Sequence, residues 1–251
     1  KKIEFEKLFE TGKDGKCSVD AISGKIQKFN FKGKDGLLIV SRDNNEENLF
    51  LSNQYQDGAL YKFSSVFFLD LNSKTLISFA GGLRNAQGLI VTKDNNIISS
   101  THGPRGGDEL NNIKYGKNYG WPYASYGENY YKSLNESSPF DYEKSHEDLG
   151  FTEPIYSFVP SVAPTELIEI DANFSEKWNG NLILATLRSQ SIFRIVLTND
   201  KNKVVSYEQI RVGKRIRDLM YDKNNKLIFL AQENGNGGNG SIGVISNFLN
   251  E

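Results

Sequence analysis

Apolar residues along this chain come in short runs broken by turn clusters, with no sustained stripe at helical spacing. The runs GLLIVSRDNN (36–45), SVFFLDLNSKT (65–75), GLIVTKDNNIISST (88–101), NGNLILATLRSQSIFRIVLTNDKNKVV (179–205) and IRDLMYDKNNKLIFLAQENG (216–235) set β-branched and aromatic residues beside Asp, Asn, Gly and Lys. Such runs predict strands joined by tight turns. The segments Asp94 to Asn96 and Asp222 to Lys226 recur between aliphatic runs as a weak internal repeat. Asn and Asp suit these turns because they tolerate positive φ. Helical signals are confined to the first ten residues and to a turn or two over Asp108–Ile113. The pattern predicts an all-β fold, and repeated four-stranded meanders suggest a β-propeller whose loops converge on a central site. A single β-sandwich is the alternative, although such domains run nearer ~100 residues.

Composition narrows the functions more than it names one. With 251 residues and 38% hydrophobic content, residues 1–251 read as one globular domain able to bury a sizeable core. The balance of 30 basic against 31 acidic residues gives no electrostatic reason to expect a nucleic-acid or membrane-surface partner. Cys17 is the single cysteine, which excludes an intrachain disulfide and a cysteine-rich metal site. No apolar run approaches the roughly 18 residues of a spanning helix, and KKIEFEKLFE lacks the apolar centre of a signal peptide.

One segment fits neither strand nor helix. Thr101 to Pro122, THGPRGGDELNNIKYGKNYGWP, combines glycines and prolines with Asp108, Glu109, His102, Tyr119 and Trp121. Taken alone, the two carboxylates read as caps of a short turn, and the two aromatics as core residues with polar tips. Arg215 and Arg217, two apart on a predicted strand, read as a salt-bridged face. His146, in the polar stretch SHEDLG, reads as a surface-loop residue.

Five phrases change that reading together. GLRNAQGL (82–89), STHGPRGGDELNNIKYGKNYGWP (100–122), VPSVAPTELIEI (159–170), GNLILATLRSQSIFRI (180–195) and KRIRDL (214–219) stand in the order and spacing of the soluble glucose/sorbosone dehydrogenases. These are the aldose sugar dehydrogenases that depend on pyrroloquinoline quinone (PQQ). The resemblance runs from about Ser23 to the C-terminus and implies a six-bladed propeller with the quinone on its axis. It implies PQQ contacts from Arg84, Asn85, Gln87, His102, Arg215 and Arg217, with Arg188 where the family often has lysine. Calcium at the quinone would be held by the carbonyls of Gly103 and Pro104, and a second, structural calcium by Asp108, Glu109 and the Tyr119 carbonyl. Guanidinium forks suit the three carboxylates of PQQ, and a hard cation suits backbone oxygens. His102 borders the pocket and is not the family's proton acceptor.

The resemblance also has departures. The family's catalytic histidine precedes a Ser/Gly-Gly-Arg phrase; aligning Ser23 to Ile26 on it puts Ala21 at that position, which has no proton acceptor. Ser64, Ser65 and Val66 stand where the family usually has a Gly-Lys phrase. At ~40–45 residues per blade, with the loops between blades added, the chain is expected to supply four to five blades, so an open ring with pairable edges, as in a homodimer, is expected. The sequence therefore predicts a PQQ- and calcium-dependent aldose dehydrogenase, periplasmic or secreted by resemblance. The alternative is a non-catalytic, calcium-stabilised propeller that binds a sugar or a protein.

Overall fold

The computed structural model of the chain describes residues 22–41, 66–130, 141–233 and 239–246. Within them lie fifteen strands in four antiparallel sheets. The first sheet contains β1 (Ile22–Phe31), β2 (Lys34–Ser41), β3 (Val66–Asp70) and β4 (Leu76–Ala80). The second contains β5 (Ala86–Val91), β6 (Ile97–Thr101), β7 (Asp108–Ile113) and β8 (Tyr156–Phe158). The third contains β9 (Pro164–Glu169), β10 (Leu182–Thr186), β11 (Ser191–Leu197) and β12 (Val204–Arg211). The last contains β13 (Arg215–Asp222), β14 (Leu227–Glu233) and β15 (Gly240–Ser246). Each sheet is a meander in chain order, and the leading strands β1, β5, β9 and β13 pack one against the next. This is a propeller: four blades with their leading strands nearest the axis.

The continuous apolar runs follow from this stacking. A blade between two others must present apolar side chains on both faces, and successive residues of a strand point to opposite faces. On β5 and β6, Leu89 and Ile97 enter the core shared with the first blade, through Leu38, Val40, Phe68 and Phe79. Their neighbours Ile90 and Ile98 enter the core shared with the third blade, through Leu167, Leu182, Leu184 and Phe193. On β10, Leu182 and Leu184 face back to the second blade. Ile183 and Ala185 face forward to Ile216, Leu219, Ile228 and Leu230.

The turns use the chemistry their residues supply. Asn95 sits at φ 61 in the β5–β6 turn, where the Asn95 and Thr92 amides donate to the Thr92 and Asn96 carbonyls. In the β13–β14 turn, Asp222 Oδ1 accepts from the amides of Asn224 and Asn225, and Lys226 adopts φ 56.

Asp108–Ile113 departs from the helical turn expected of it: the segment is strand β7, paired with β6 and β8. Its polar residues are buried, and one of them reaches a partner in another blade. Asn112 donates its amide to the Lys201 carbonyl and to Asn202 Oδ1. Such partners lie some ninety positions away in sequence, so local propensity is overridden by tertiary contact. No helix of the described residues is long and apolar enough to cross a membrane.

The interblade cores make an unequal prediction for two large apolar residues. Ile98→Ala, at a fully buried position, should lower unfolding free energy by about 2–5 kcal/mol. Met220→Ala, at a side chain 58% exposed, should change it by roughly 0.5 kcal/mol or less. Denaturant midpoints of the two variants check this.

Candidate functional site at one mouth of the propeller axis

The site begins where the chain passes from β4 to β5. Gly82, at φ 76, lies so close to the long loop that a Cβ there would meet Asn118 Oδ1 at 2.0 Å and the Gly120 amide nitrogen at 2.7 Å. The amides of Tyr119 and Trp121 donate to the carbonyls of Gly81 and Gly82, pinning the loop along this edge. Arg84 follows at once. Its guanidinium stacks over Trp121 at 5.3 Å and donates from Nη1 to the Gly103 carbonyl at 3.0 Å. Its Nε is buried without a partner.

Asn85 and His102 extend the same mouth. Asn85 accepts from Gln87 Nε2 through its side chain and from the His102 amide through its carbonyl. His102 Nε2 lies 2.6 Å from the Pro164 carbonyl. A carbonyl only accepts, so Nε2 carries the proton and Nδ1 the lone pair. Burial lowers the pKa of His102, Asp108 opposes the shift, and the nearby charges of Arg84 and Arg217 add to it. His102 is therefore a neutral imidazole, and residues from the second and fourth blades meet around it.

Arg215 and Arg217 share one carboxylate, although the Arg217 side chain stays 54% exposed. Their Nε atoms donate to the two carboxylate oxygens of Glu233 at 2.7 and 2.8 Å, across the β13–β14 pair. A register shift between Ile216 and Asp218 lets both arginines reach one carboxylate. The Arg217 hydrogen bond, and then that of Arg215, lower the Glu233 pKa to about 2. Arg188 is exposed in the β10–β11 turn, and its amide donates to the Val162 carbonyl.

The long loop is organised by Asp108. Its Oδ1 accepts from the Gly103 amide, and its Oδ2 from the Ser161 hydroxyl and the Val162 and Ala163 amides at 2.6–2.8 Å. One buried carboxylate thus ties the loop's start to the segment leading into β9. Gly103 is crowded from inside: a Cβ there would meet the carbonyl oxygens of Gly106 and Gly107 at 2.2 and 2.4 Å. The Pro104 carbonyl accepts from the Tyr130 hydroxyl.

Glu109 lies on the other face of β7 from Asp108, as consecutive strand residues must. Asn111 donates to its Oε2, and burial pushes its pKa up to about 8. Tyr119 is a core strut: its hydroxyl donates to the Asn112 carbonyl and accepts from the Lys114 amide. The structure thus gathers Arg84, Asn85, Gln87, His102, Gly103, Arg215 and Arg217 toward one mouth but sends Asp108 and Glu109 to opposite sides of a sheet. His146 corrects a further expectation: it is 0% exposed instead of lying on a surface loop. The apolar and aromatic surroundings of the folded loop, with Tyr126 stacked on its ring, take it inside. Ala21, Ser64 and Ser65 lie outside the described residues.

The profile of the Glucose / Sorbosone dehydrogenase family matches residues 67–241. The chain belongs to this family. It is 27% identical over 216 residues to the aldose sugar dehydrogenase YliI of Escherichia coli, covering 81% of this chain and 56% of that protein. It is 30% identical over 154 residues to the uncharacterized protein slr1608 of Synechocystis, covering 61% of this chain and 36% of that protein. Among solved structures, a glucose dehydrogenase crystal structure matches 88% of this chain and 62% of its own, at 26% identity and a TM-score of 0.70. The PQQ-bound aldose sugar dehydrogenase of Streptomyces coelicolor, at 19% identity and a TM-score of 0.60, shares the fold. The chain spans less than two thirds of the length of these relatives.

Set in the glucose/sorbosone dehydrogenase propeller, one polar cluster stands out that sequence reading missed. Lys25 of β1 reaches Glu166 of β9 and, at 3.1 Å, Asp218 of β13, joining three blades between their innermost strands. Burial works against the Lys25 ammonium, but Glu166 and then Asp218 outweigh it and raise its pKa. Burial raises Glu166 to about 7 against the pull of Lys25. The available signal was the pair of carboxylates, Glu166 and Glu169, inside the otherwise apolar phrase APTELIEI. Glu233 carried no signal at all, since its partners are known only once β13 and β14 pair.

Two outcomes follow. Asp108→Ala strands four donors that now share one carboxylate, and should lower stability by roughly 3 kcal/mol in denaturant unfolding. Glu233 has a folded-state pKa below its ordinary 4.5, so its pairing stabilises the fold at neutral pH and is lost as pH falls from 4.5 through about 2. Glu233→Gln should therefore flatten the acid limb of stability in that window, read from thermal melts at stepped pH.

Proposed function

We propose that this chain carries the cofactor and sugar site of a PQQ- and calcium-dependent aldose dehydrogenase, which oxidises the C1 hydroxyl of the sugar. The observation that supports it best is the meeting of Arg84, His102 and Arg217 at one axial mouth, with the buried Arg84 Nε unpartnered. An unsatisfied buried guanidinium N–H favours an anionic ligand, and a carboxylate accepts from it with a charge-assisted bond. Arg84, Arg215 and Arg217 would hold the carboxylates of PQQ, with Arg188 at the rim and Asn85 and Gln87 offering amide contacts.

The loop also suits the quinone-associated calcium. Gly103 and Pro104 present consecutive backbone carbonyls, which accept from Arg84 and from the Tyr130 hydroxyl and would each have a second lone pair for calcium. The carbonyl oxygens of Gly106 and Gly107 pack so closely on Gly103 that no side chain fits there. When bound, the quinone supplies the acceptor for the hydride leaving C1. The chain's own part is to orient the anion through its arginines, to screen the mouth with Trp121, and to border it with the neutral His102.

Ala21 favours a second reading. Where the family places the histidine that takes the hydroxyl proton, this chain has a methyl group, so the propeller would bind its ligand without turnover. The two readings separate in one experiment. Titration of calcium-loaded chain with PQQ, followed by absorbance and melting temperature, should show saturable binding and a raised melting temperature under either arginine-site reading. Arg84→Ala should weaken that binding about 10-fold or more, the worth of a charge-assisted hydrogen bond. Dye reduction with a panel of aldoses then decides: activity in the parent chain supports the enzyme, and activity only in Ala21→His supports the non-catalytic reading. Absence of PQQ binding would sink the enzyme and leave a propeller that binds a sugar or a protein without the quinone.

A further inference from the structure

The family resemblance implies a structural calcium ion held by Asp108, Glu109 and the Tyr119 carbonyl, and the residues present do not fit it. Asp108 and Glu109 are adjacent on β7, so their carboxylates leave opposite faces of the second blade. Asp108 is committed to four donors from Gly103, Ser161, Val162 and Ala163. That leaves Glu109 as the sole carboxylate of the trio on the face where the Tyr119 carbonyl lies.

On that face a side chain stands where an ion would. The His146 imidazole lies with Nε2 3.6 Å from Glu109 Oε1, and its ring nitrogens face the carbonyls of Tyr119 and Thr152. Neither nitrogen reaches full hydrogen-bond geometry, yet the ring lies beside both Glu109 and the Tyr119 backbone. Gly120 makes the room: a Cβ at that position would lie 3.3 Å from His146 Nδ1 and 2.9 Å from the Ala124 methyl. Tyr126 closes the site by stacking on the imidazole, with centroids 5.3 Å apart and planes at 19°.

The remaining nearby carboxylate is engaged. Glu153 accepts the Glu147 amide on one oxygen and the Tyr126 hydroxyl on the other. Calcium takes roughly six to eight oxygen ligands, and among the described residues no cluster of three or more metal-binding side chains forms. The imidazole fills that volume by itself, stacked under Tyr126.

We propose that the His146 imidazole takes the place of the structural cation in this chain, packed between Glu109 of β7 and the Tyr119–Thr152 loop without a bound metal. The inference concerns this structural position alone and is independent of the redox reading of the axial mouth.

The test counts calcium ions and follows melting, with no need for activity. Equilibrium dialysis against calcium chloride should find that Glu109→Gln binds as many ions as the parent chain, with the same calcium-dependent shift in melting temperature. His146→Gly should melt several degrees lower than the parent in excess EGTA, since a buried ring and its stacking are lost. A parent chain that binds one more calcium than Glu109→Gln overturns the proposal, as does His146→Gly melting like the parent in EGTA. Should Glu109→Gln fail to fold, Glu109→Asp serves instead. Unchanged calcium affinity in it supports the imidazole, and weakened affinity restores the ion.

Discussion

Every other feature of this molecule depends on one packing constraint: a blade inside a propeller has no solvent face. Each inner strand must send apolar side chains both ways, so consecutive residues belong to different cores. Leu89 and Ile90, or Leu182 and Ile183, are neighbours in sequence yet stabilise different blade interfaces. The same alternation divides Asp108 from Glu109 and gives them unlike environments. Charge gathers where the strands end at the loops, where their leading edges meet around the axis, and on the outer strands, as in the Arg194–Glu208 pair. Lys25, Glu166 and Asp218 occupy the axis; the arginines occupy the mouth.

At the mouth, geometry is set by a carboxylate that touches no candidate ligand. Asp108 holds the Gly103 amide with one oxygen and the Ser161–Ala163 segment with the other. Ala163 is thereby kept at φ 53, and the chain turns into β9 with the Pro164 carbonyl set against His102. The His102 tautomer thus follows from an anchor in the same loop, since Nε2–H is directed at a carbonyl whose place Asp108 helps to fix. Supporting contacts of this kind keep the groups that face a ligand within narrow limits.

Much of the blade architecture was legible because its signal is local. Aliphatic runs such as GLIV and LILAT became β5 and β10, and the Asn-rich clusters between runs became turns with positive φ at Asn95 and Lys226. The long loop was recognisable by its glycines. What escaped were features that depend on which strands meet. DELNNI has no strand alternation of its own and is a strand because β6 and β8 pair with it. His146 sits in a polar stretch and is buried because Gly120, Tyr126 and Glu109 arrive around it. The arginine pair was visible, but the carboxylate that holds it was not.

That carboxylate bears on how an anionic ligand would enter the site. In the absence of ligand, Glu233 gives Arg215 and Arg217 a partner, so neither guanidinium must point unpaired into the mouth. Each uses its Nε for this, and a guanidinium carries five N–H donors. Its terminal amino groups therefore remain to meet a second carboxylate, in the forked geometry that arginine supplies and lysine does not. Arg84 is arranged in a comparable way, with Nη1 on the Gly103 carbonyl, its face on Trp121 and Nε without a partner. Held by internal contacts yet keeping donors in reserve, Arg84 and Arg215 would lose little side-chain freedom to an anion, and less ordering entropy would be set against the binding energy.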